Sequence, residues 1–297
     1  MGLALLSQTA DQGRQVESDQ SATELSDIVV QGRRIDQRVS GFIDEVIAAP
    51  SGRGPARWRD SICVGVANIR GEAAQYVVDR VSQVALEVGL EIGEPGCRPN
   101  ILIIGSADGA GMARGLVEAR PRVFWPGGSG MNRSRAALEA FQSGDAPVRW
   151  WHISVPVDAQ TGTRAVRMPG DDEPIRIERT TSGRLRTTIR NDLNRVIIIL
   201  DVAKTDGMNF RQIADYAAMV AFSQVDPDAD TSGYDSVLGL FSHSSSVEGL
   251  TDWDMVYLKA LYAAELNQGS AIQQTGEVRG LMARERKRAA GAPETED

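Results

Sequence analysis

Lysine and histidine are nearly missing from this chain. Lys204, Lys259 and Lys287 are its only lysines among 32 basic residues, and His152 and His243 are its only imidazoles. None of the three lysines follows a glycine-rich loop, which excludes a Walker phosphate loop. Excess positive charge is missing as well: net charge is −8 and the pI is near 5.0. Wide binding to a nucleic-acid backbone needs a continuous basic surface to displace counterions, so nucleic acid is not an expected partner. Long apolar runs are absent too. Even Tyr216 to Phe222, the longest, and Val196 to Leu200 fall far short of the roughly 20 residues that cross a bilayer as a helix. Aromatic residues make up only 5%, yet 42% hydrophobic and 24% charged residues lie in the globular range.

The 297 residues divide into three stretches. Residues 1–35 read as a flexible N-terminal segment with a possible short strand, 36–268 as a single α+β domain, and 269–297 as a helical or disordered polar tail that is mostly solvated. The opening Met1 to Ala10 has a short apolar run but lacks a basic n-region, and reads either as the remnant of a trimmed signal or as a disordered end. Cys63 and Cys97 are the only cysteines. An even count suits one disulfide in an envelope protein, worth about 3–4 kcal/mol on the chain-entropy estimate; two buried thiols in a cytosolic protein is the alternative.

Between these ends, helices alternate with strands. Apolar residues at Ala73, Tyr76, Val77, Val81, Val84, Ala85 and Val88 recur at helical spacing and stop at Gly89. Leu90 to Ile92 and Asn100 to Ile104 read as strands, Val148 to Val155 as another, and Arg195 to Val202, apolar on both faces, as a strand of the sheet interior. Asn132 is placed to cap a helix ending at Gly144, and Arg164 to Met168 with Pro174 to Glu178 suggest a hairpin. The expected fold is thus α+β, a mixed sheet with flanking helices.

Several motifs suggest chemistry. Strand Asn100 to Ile104 runs into Gly105-Ser-Ala-Asp-Gly109-Ala-Gly111, a glycine turn like that of dinucleotide-binding enzymes, but no acidic ribose ligand and no Tyr-x-x-x-Lys accompany it. Asp226-Pro-Asp228-Ala-Asp230 spaces three carboxylates alternately, as calcium ligands are, yet an EF-hand would need Gly at Thr231 and Glu at Val237. Ser129 has Met131 where a nucleophile elbow needs glycine. His152, between Trp151 and Ile153, reads as a packed or hydrogen-bonded ring, and His243 as a solvated loop residue.

The last third adds an order of elements: strand Val196 to Leu200, helix Phe210 to Gln224, an acidic turn, Tyr234 to Phe241, and a helix opened by Thr251 with Asp254 completing a capping box. This order resembles the catalytic half of zincin metallopeptidases, in which a His-Glu-x-x-His helix precedes a methionine-containing turn. Laid on that pattern, the two histidines fall on Ala214 and Ala218, the glutamate on Asp215, the third ligand on Gln224, and the turn on Ser236-Val237-Leu238. Alanine cannot ligate zinc, so the resemblance implies a core that has lost its metal. Cys97-Arg-Pro-Asn100, Val148-Arg-Trp-Trp-His-Ile-Ser-Val-Pro-Val157 and Gly249-Leu-Thr-Asp-Trp-Asp254 also resemble a group of uncharacterised alphaproteobacterial envelope proteins. A shorter stretch, Ser26-Asp-Ile-Val-Val-Gln-Gly-Arg-Arg34, is similar to one near the mature start of TonB-dependent outer-membrane transporters, and implies a strand able to add to a partner's sheet.

These features lead to one expectation: a non-catalytic periplasmic or secreted pseudo-peptidase that binds a protein or small ligand, with no metal or cofactor. Its groove would be lined by Asp215, Tyr216, Tyr234 and Asp235, and alanine at Asp215 and Tyr216 would spare the fold. The alternatives are a hydrolase using carboxylate pairs and, behind it, an oxidoreductase with a nicotinamide cofactor.

Overall fold

A computed structural model describes residues 32–50, 52–127, 133–167, 186–242 and 247–291. The fold is α+β, a four-stranded mixed sheet covered by helices. Helix α1 spans 32–46, with Val39, Phe42, Ile43 and Val46 as its buried stripe. There follow β1 (Val64–Ala67), α2 (Gly71–Glu87), β2 (Ile101–Ser106), α3 (Gly109–Ala119), α4 (Pro121–Phe124), α5 (Arg135–Ser143), β3 (Val148–Asp158) and β4 (Ile189–Asp201). The chain ends in α6 (Phe210–Phe222), a 3-10 turn at Val237–Gly239, α7 (Asp252–Ala263) and α8 (Ala271–Ala289).

Strand order is β1-β2-β4-β3. The first three run parallel, with Ile101 opposite Val64 and Val196, and β3 closes the edge antiparallel, with Val148 opposite Leu200. Alternate residues feed two cores. Ile101, Ile103, Val196, Ile198, Val148 and Trp150 pack against the layer containing α1, α2, α6, α7 and α8, while Ile104, Ile197, Ile199, Trp151 and Ile153 pack against the other, containing α3, α4 and α5. Helices on both faces are why β4 is apolar on both of its own, as its sequence predicts.

Local chemistry sets the boundaries. Helix α2 ends in a Schellman motif: Gly89 takes φ +82°, its N–H bonds Leu86, and the N–H of Leu90 reaches back to Ala85. The N-cap of α5 is Ser134, whose hydroxyl accepts from Ala137 N–H; Asn132 lies outside the described residues. Helix α7 has the expected capping box of Thr251 and Asp254, and α6 opens with another, Asn209 with Gln212. Leu90 to Ile92 amounts to a single bridge, Ile62 to Ile92, and Arg164 likewise to one bridge with Val157. The remainder of the expected hairpin, Met168 and Pro174 to Glu178, is outside the described residues.

Cys63 and Cys97 form a disulfide that pins the segment entering β1 to the loop before β2. Asn100 reinforces the junction, its Oδ1 accepting from Cys63 N–H at 2.7 Å and its Nδ2 donating to Ser61 O. Pro99 lies where a Cβ on Gly65 would come within 2.7 Å, which makes glycine obligatory in β1. The Cys-Arg-Pro-Asn stretch is therefore a structural clasp.

Two expectations about the ends are corrected. Residues 32–35 belong to α1 rather than to a flexible strand, and residues 26–31 lie outside the described set. Residues 269–291 do not trail into solvent. Val278 and Met282 of α8 are fully buried, Lys287 pairs with Asp36 at 3.0 Å and Arg279 with Asp44 at 2.5 Å. Arg38 of α1 and Arg286 of α8 each place a guanidinium 5.2 Å from the Trp253 ring. Few apolar residues mark α8 as packed because one narrow stripe suffices when the charged stems lie along neighbouring helices. No helix among the described residues is long and apolar enough to cross a membrane.

Candidate functional site

The C-terminal end of α6 is buried, so its last four carbonyls need partners from outside the helix. Each has one: Ser223 Oγ donates to Met219 O at 2.8 Å, His152 Nε2 to Val220 O at 2.7 Å, Trp58 Nε1 to Ala221 O at 2.8 Å and Tyr262 Oη to Phe222 O at 2.9 Å. Trp150 Nε1 continues the series to Val225 O at 3.0 Å. Burial lowers the His152 pKa to about 4, keeping the ring neutral as a donor. His152 is thus a structural cap, as its setting in the strand suggests; His243 lies outside the described residues.

The positions that the metallopeptidase register assigns to metal ligands are closed. Ala214 and Ala218 are fully buried in the core. Gln224 is spent on structure, Oε1 accepting from Ala56 N–H at 2.9 Å and Nε2 donating to Ser154 Oγ at 3.3 Å. Asp215 has no exposed surface; it holds Arg80 at 2.5 Å, accepts from Leu250 N–H at 2.9 Å and lies 3.7 Å from Arg211. A Cβ on Gly249 would come within 2.2 Å of Asp215 Oδ2, so the Gly249 to Asp254 stretch is shaped around this carboxylate. Asp215 ties α2, α6 and the entry to α7 together, and alanine there would not spare the fold.

Of the four groove residues, Tyr216 lines a cavity between α5 and the acidic turn, and the other three do not reach it. That cavity, about 380 Å³, lies between α5, the start of β3, the acidic turn after α6 and the segment beyond the 3-10 turn. Phe141, Val148, Trp150, Tyr216, Leu238 and Phe241 give its apolar wall, and α6 contributes only Tyr216. The Tyr216 ring meets Trp150 at 6.1 Å and Phe241 at 5.0 Å, edge to face. Its hydroxyl, on a side chain only 7% exposed, has no hydrogen-bond partner among the described residues, and burial raises its pKa. Tyr234 instead packs on Phe42 and Trp253, with its hydroxyl over Gly41, and Asp235 is exposed, its carbonyl accepting from Thr251 Oγ1 at 2.6 Å. The structure does not bring the four residues to one groove.

Edge strand β3 gives the cavity a second kind of wall. Asp201 N–H bonds Pro147 O, and with the register that follows, antiparallel alternation turns the N–H and C=O of Val148 and Trp150 away from β4. The acidic turn opposite is held by its own bonds. Asp226 accepts from Asp228 N–H and pairs with Arg133 at 3.5 Å, while Asp230 accepts from Ser232, which lowers its pKa. Asp145 is paired with Lys204, which lowers its pKa. No three His, Cys, Asp or Glu among the described residues converge as metal ligands.

A further buried acid escaped the sequence reading except as a cap. Asp254 accepts from Ser236 Oγ at 2.6 Å, Val237 N–H at 2.8 Å and Thr251 N–H at 3.0 Å, fastening the 3-10 turn to α7. Burial raises its pKa to about 6, although these bonds pull the other way. At the glycine turn, α3 begins with carboxylates: Asp108 accepts from Gly111 N–H at 2.7 Å and Asp201 from Gly109 N–H at 3.3 Å. Two acids stand where a pyrophosphate would have to sit, which weighs against a dinucleotide there. Ser129 lies outside the described residues. No protein-family model, curated protein or solved structure matches the chain.

Proposed function

We propose that this is a non-catalytic envelope protein, periplasmic or secreted, that binds an extended segment of a partner protein along β3, with an apolar side chain seated in the Tyr216 cavity. The observation that carries it is the coincidence in one 380 Å³ cavity of an aromatic wall, a tyrosine hydroxyl with no hydrogen-bond partner among the described residues, and outward-turned backbone groups of an edge strand. Main-chain pairing supplies affinity in such a mode and the pocket supplies selectivity. The disulfide supports an oxidising compartment.

A zincin-like, metal-free core is part of the proposal. Its support is the order of elements: parallel strands, an antiparallel edge strand β3, a return through β4, then α6 and a turn beneath it at Val237–Gly239. Against catalysis stand Ala214 and Ala218, buried and unable to ligate, and the acids lining the cavity. A hydrolase using two carboxylates needs one held protonated, whereas Asp145 and Asp230 are both pushed toward the ionised form.

Selection from a library of unstructured peptides tests this. Enriched peptides are expected to carry an aromatic or large aliphatic residue, to lose at least tenfold in affinity for a Phe241→Arg variant, and to come back uncleaved. Selected peptides that bind this variant equally well would overturn the assignment of the site, and cleaved peptides the assignment of non-catalysis.

A further inference from the structure

The Tyr216 cavity has a rim as well as a wall. Four acidic residues stand on it: Asp145 just beyond α5, and Asp226, Asp228 and Asp230 on the acidic turn. Two are matched, Asp145 by Lys204 and Asp226 by Arg133 at 3.5 Å. Asp228 and Asp230 are exposed and have no ion pair among the described residues. The remaining arginine of the lining, Arg149, is turned to α5, donating to Phe141 O at 3.1 Å and Gly144 O at 2.8 Å. Residues 128–132 and 243–246, outside the described set, adjoin the lining residues Arg133 and Ser242 in the chain and contain no lysine, arginine, aspartate or glutamate.

Acidic side chains on a loop are by themselves only a solvated surface. Here they share a cavity with the Tyr216 hydroxyl, carried on a side chain 7% exposed and without a hydrogen-bond partner among the described residues. A buried hydroxyl left unpaired costs free energy that a ligand can recover. Hydrogen bonds from Ser232 hold Asp230 in its ionised form. An aromatic wall, an open hydroxyl and the negative charge of Asp228 and Asp230 therefore border one space.

We propose that the segment bound along β3 is basic, with a lysine or arginine beside its apolar anchor that meets Asp228 and Asp230. This rests on the peptide-binding reading above and adds the partner's charge to it. Long basic side chains suit such a rim, since the apolar stem extends the contact with Leu238 and Phe241 while the charge stays in water.

Peptides selected from the unstructured library on the full chain test this. Enriched sequences should carry lysine or arginine within about two residues of the anchor, a reach of roughly 7 Å along a strand. Association of the tightest peptides, followed by stopped flow at low ionic strength, should be about threefold or more slower for Asp228→Asn/Asp230→Asn, because rim charges act mainly on the association rate. Glu91→Gln/Glu118→Gln removes the same charge from exposed positions outside the cavity and should leave the rate unchanged. Asparagine keeps an acceptor for Ser232, and Asp228→Asn alone keeps the test open if the pair fails to fold. Neutral or acidic flanks, an unchanged rate in Asp228→Asn, or an equal slowing in Glu91→Gln/Glu118→Gln would overturn the proposal. Phe241→Ala, which adds no charge, separates the two readings. Where the selected peptides lose affinity for it, such a failure strikes the basic partner alone; peptides that bind it as tightly as the parent overturn the cavity as well.

Discussion

Replacing Arg80 with methionine isolates the contact on which the packing of α6 depends. The substitution keeps most of the stem that lies between α2 and α6 but removes the guanidinium 2.5 Å from Asp215. Asp215 then remains fully buried with only the Leu250 N–H at 2.9 Å and the exposed Arg211 at 3.7 Å. Removing one partner from a buried pair costs about 3–5 kcal/mol because the other charge stays desolvated. Arg80 keeps 17% of its side-chain surface exposed, so water softens the loss. We expect the lower figure, about 3 kcal/mol, and a fall in Tm of roughly 6–12 °C for a domain of this size. Urea unfolding followed by circular dichroism measures it, with the m-value checked for constancy. Adding Asp215→Asn to Arg80→Met should recover about 1–2 kcal/mol, since the stranded charge disappears while an acceptor for Leu250 stays. A single variant within about 1 kcal/mol of the parent, or a double variant less stable than the single, would refute the reasoning.

Other perturbations have equally definite outcomes. Reducing the Cys63–Cys97 disulfide, which closes a separation of 34 residues, should lower unfolding stability by about 3–4 kcal/mol, measurable by urea titration with and without dithiothreitol; a change under 1 kcal/mol would contradict it. Because the folded pKa of His152 is depressed from 6.5 to about 4, its contribution is present above pH 6.5 and is lost as pH falls toward 4. The parent's stability margin over a His152→Gln variant should therefore shrink by about 2 kcal/mol between pH 7 and pH 5, and a margin independent of pH would show that the ring titrates normally. Ser236→Ala removes the 2.6 Å hydrogen bond to Asp254; thermal unfolding should report a loss of about 1–3 kcal/mol, and a neutral result would mean that the 3-10 turn is held otherwise.

The elements that could be read in advance are those with a local physical cause. Gly89 announced the end of α2, the double-faced apolar run Val196 to Leu200 announced a central strand, and Thr251 with Asp254 announced the start of α7. What could not be read depends on contacts distant in sequence. Val278 and Met282 look isolated in a charged helix until α1 and α7 are placed beside them. Asp215 reads as a groove residue because it falls where the metallopeptidase pattern has its glutamate, and nothing nearby in the chain signals Arg80, 135 residues away. Tyr216 faces the cavity only because Trp150 and Phe241 arrive from other elements. The pairing of Cys63 with Cys97 was legible because no other cysteine competes.

Backbone amide exchange at Val148 and Trp150, recorded by NMR with and without a selected peptide, tests the account's central claim most directly. A peptide that lies along β3 accepts hydrogen bonds from these two outward N–H groups, so both amides should become at least tenfold more protected, with smaller changes at β1 on the opposite edge of the sheet. Binding that leaves the exchange of Val148 and Trp150 unaltered would contradict the edge-strand mode and, with it, the function proposed for this protein.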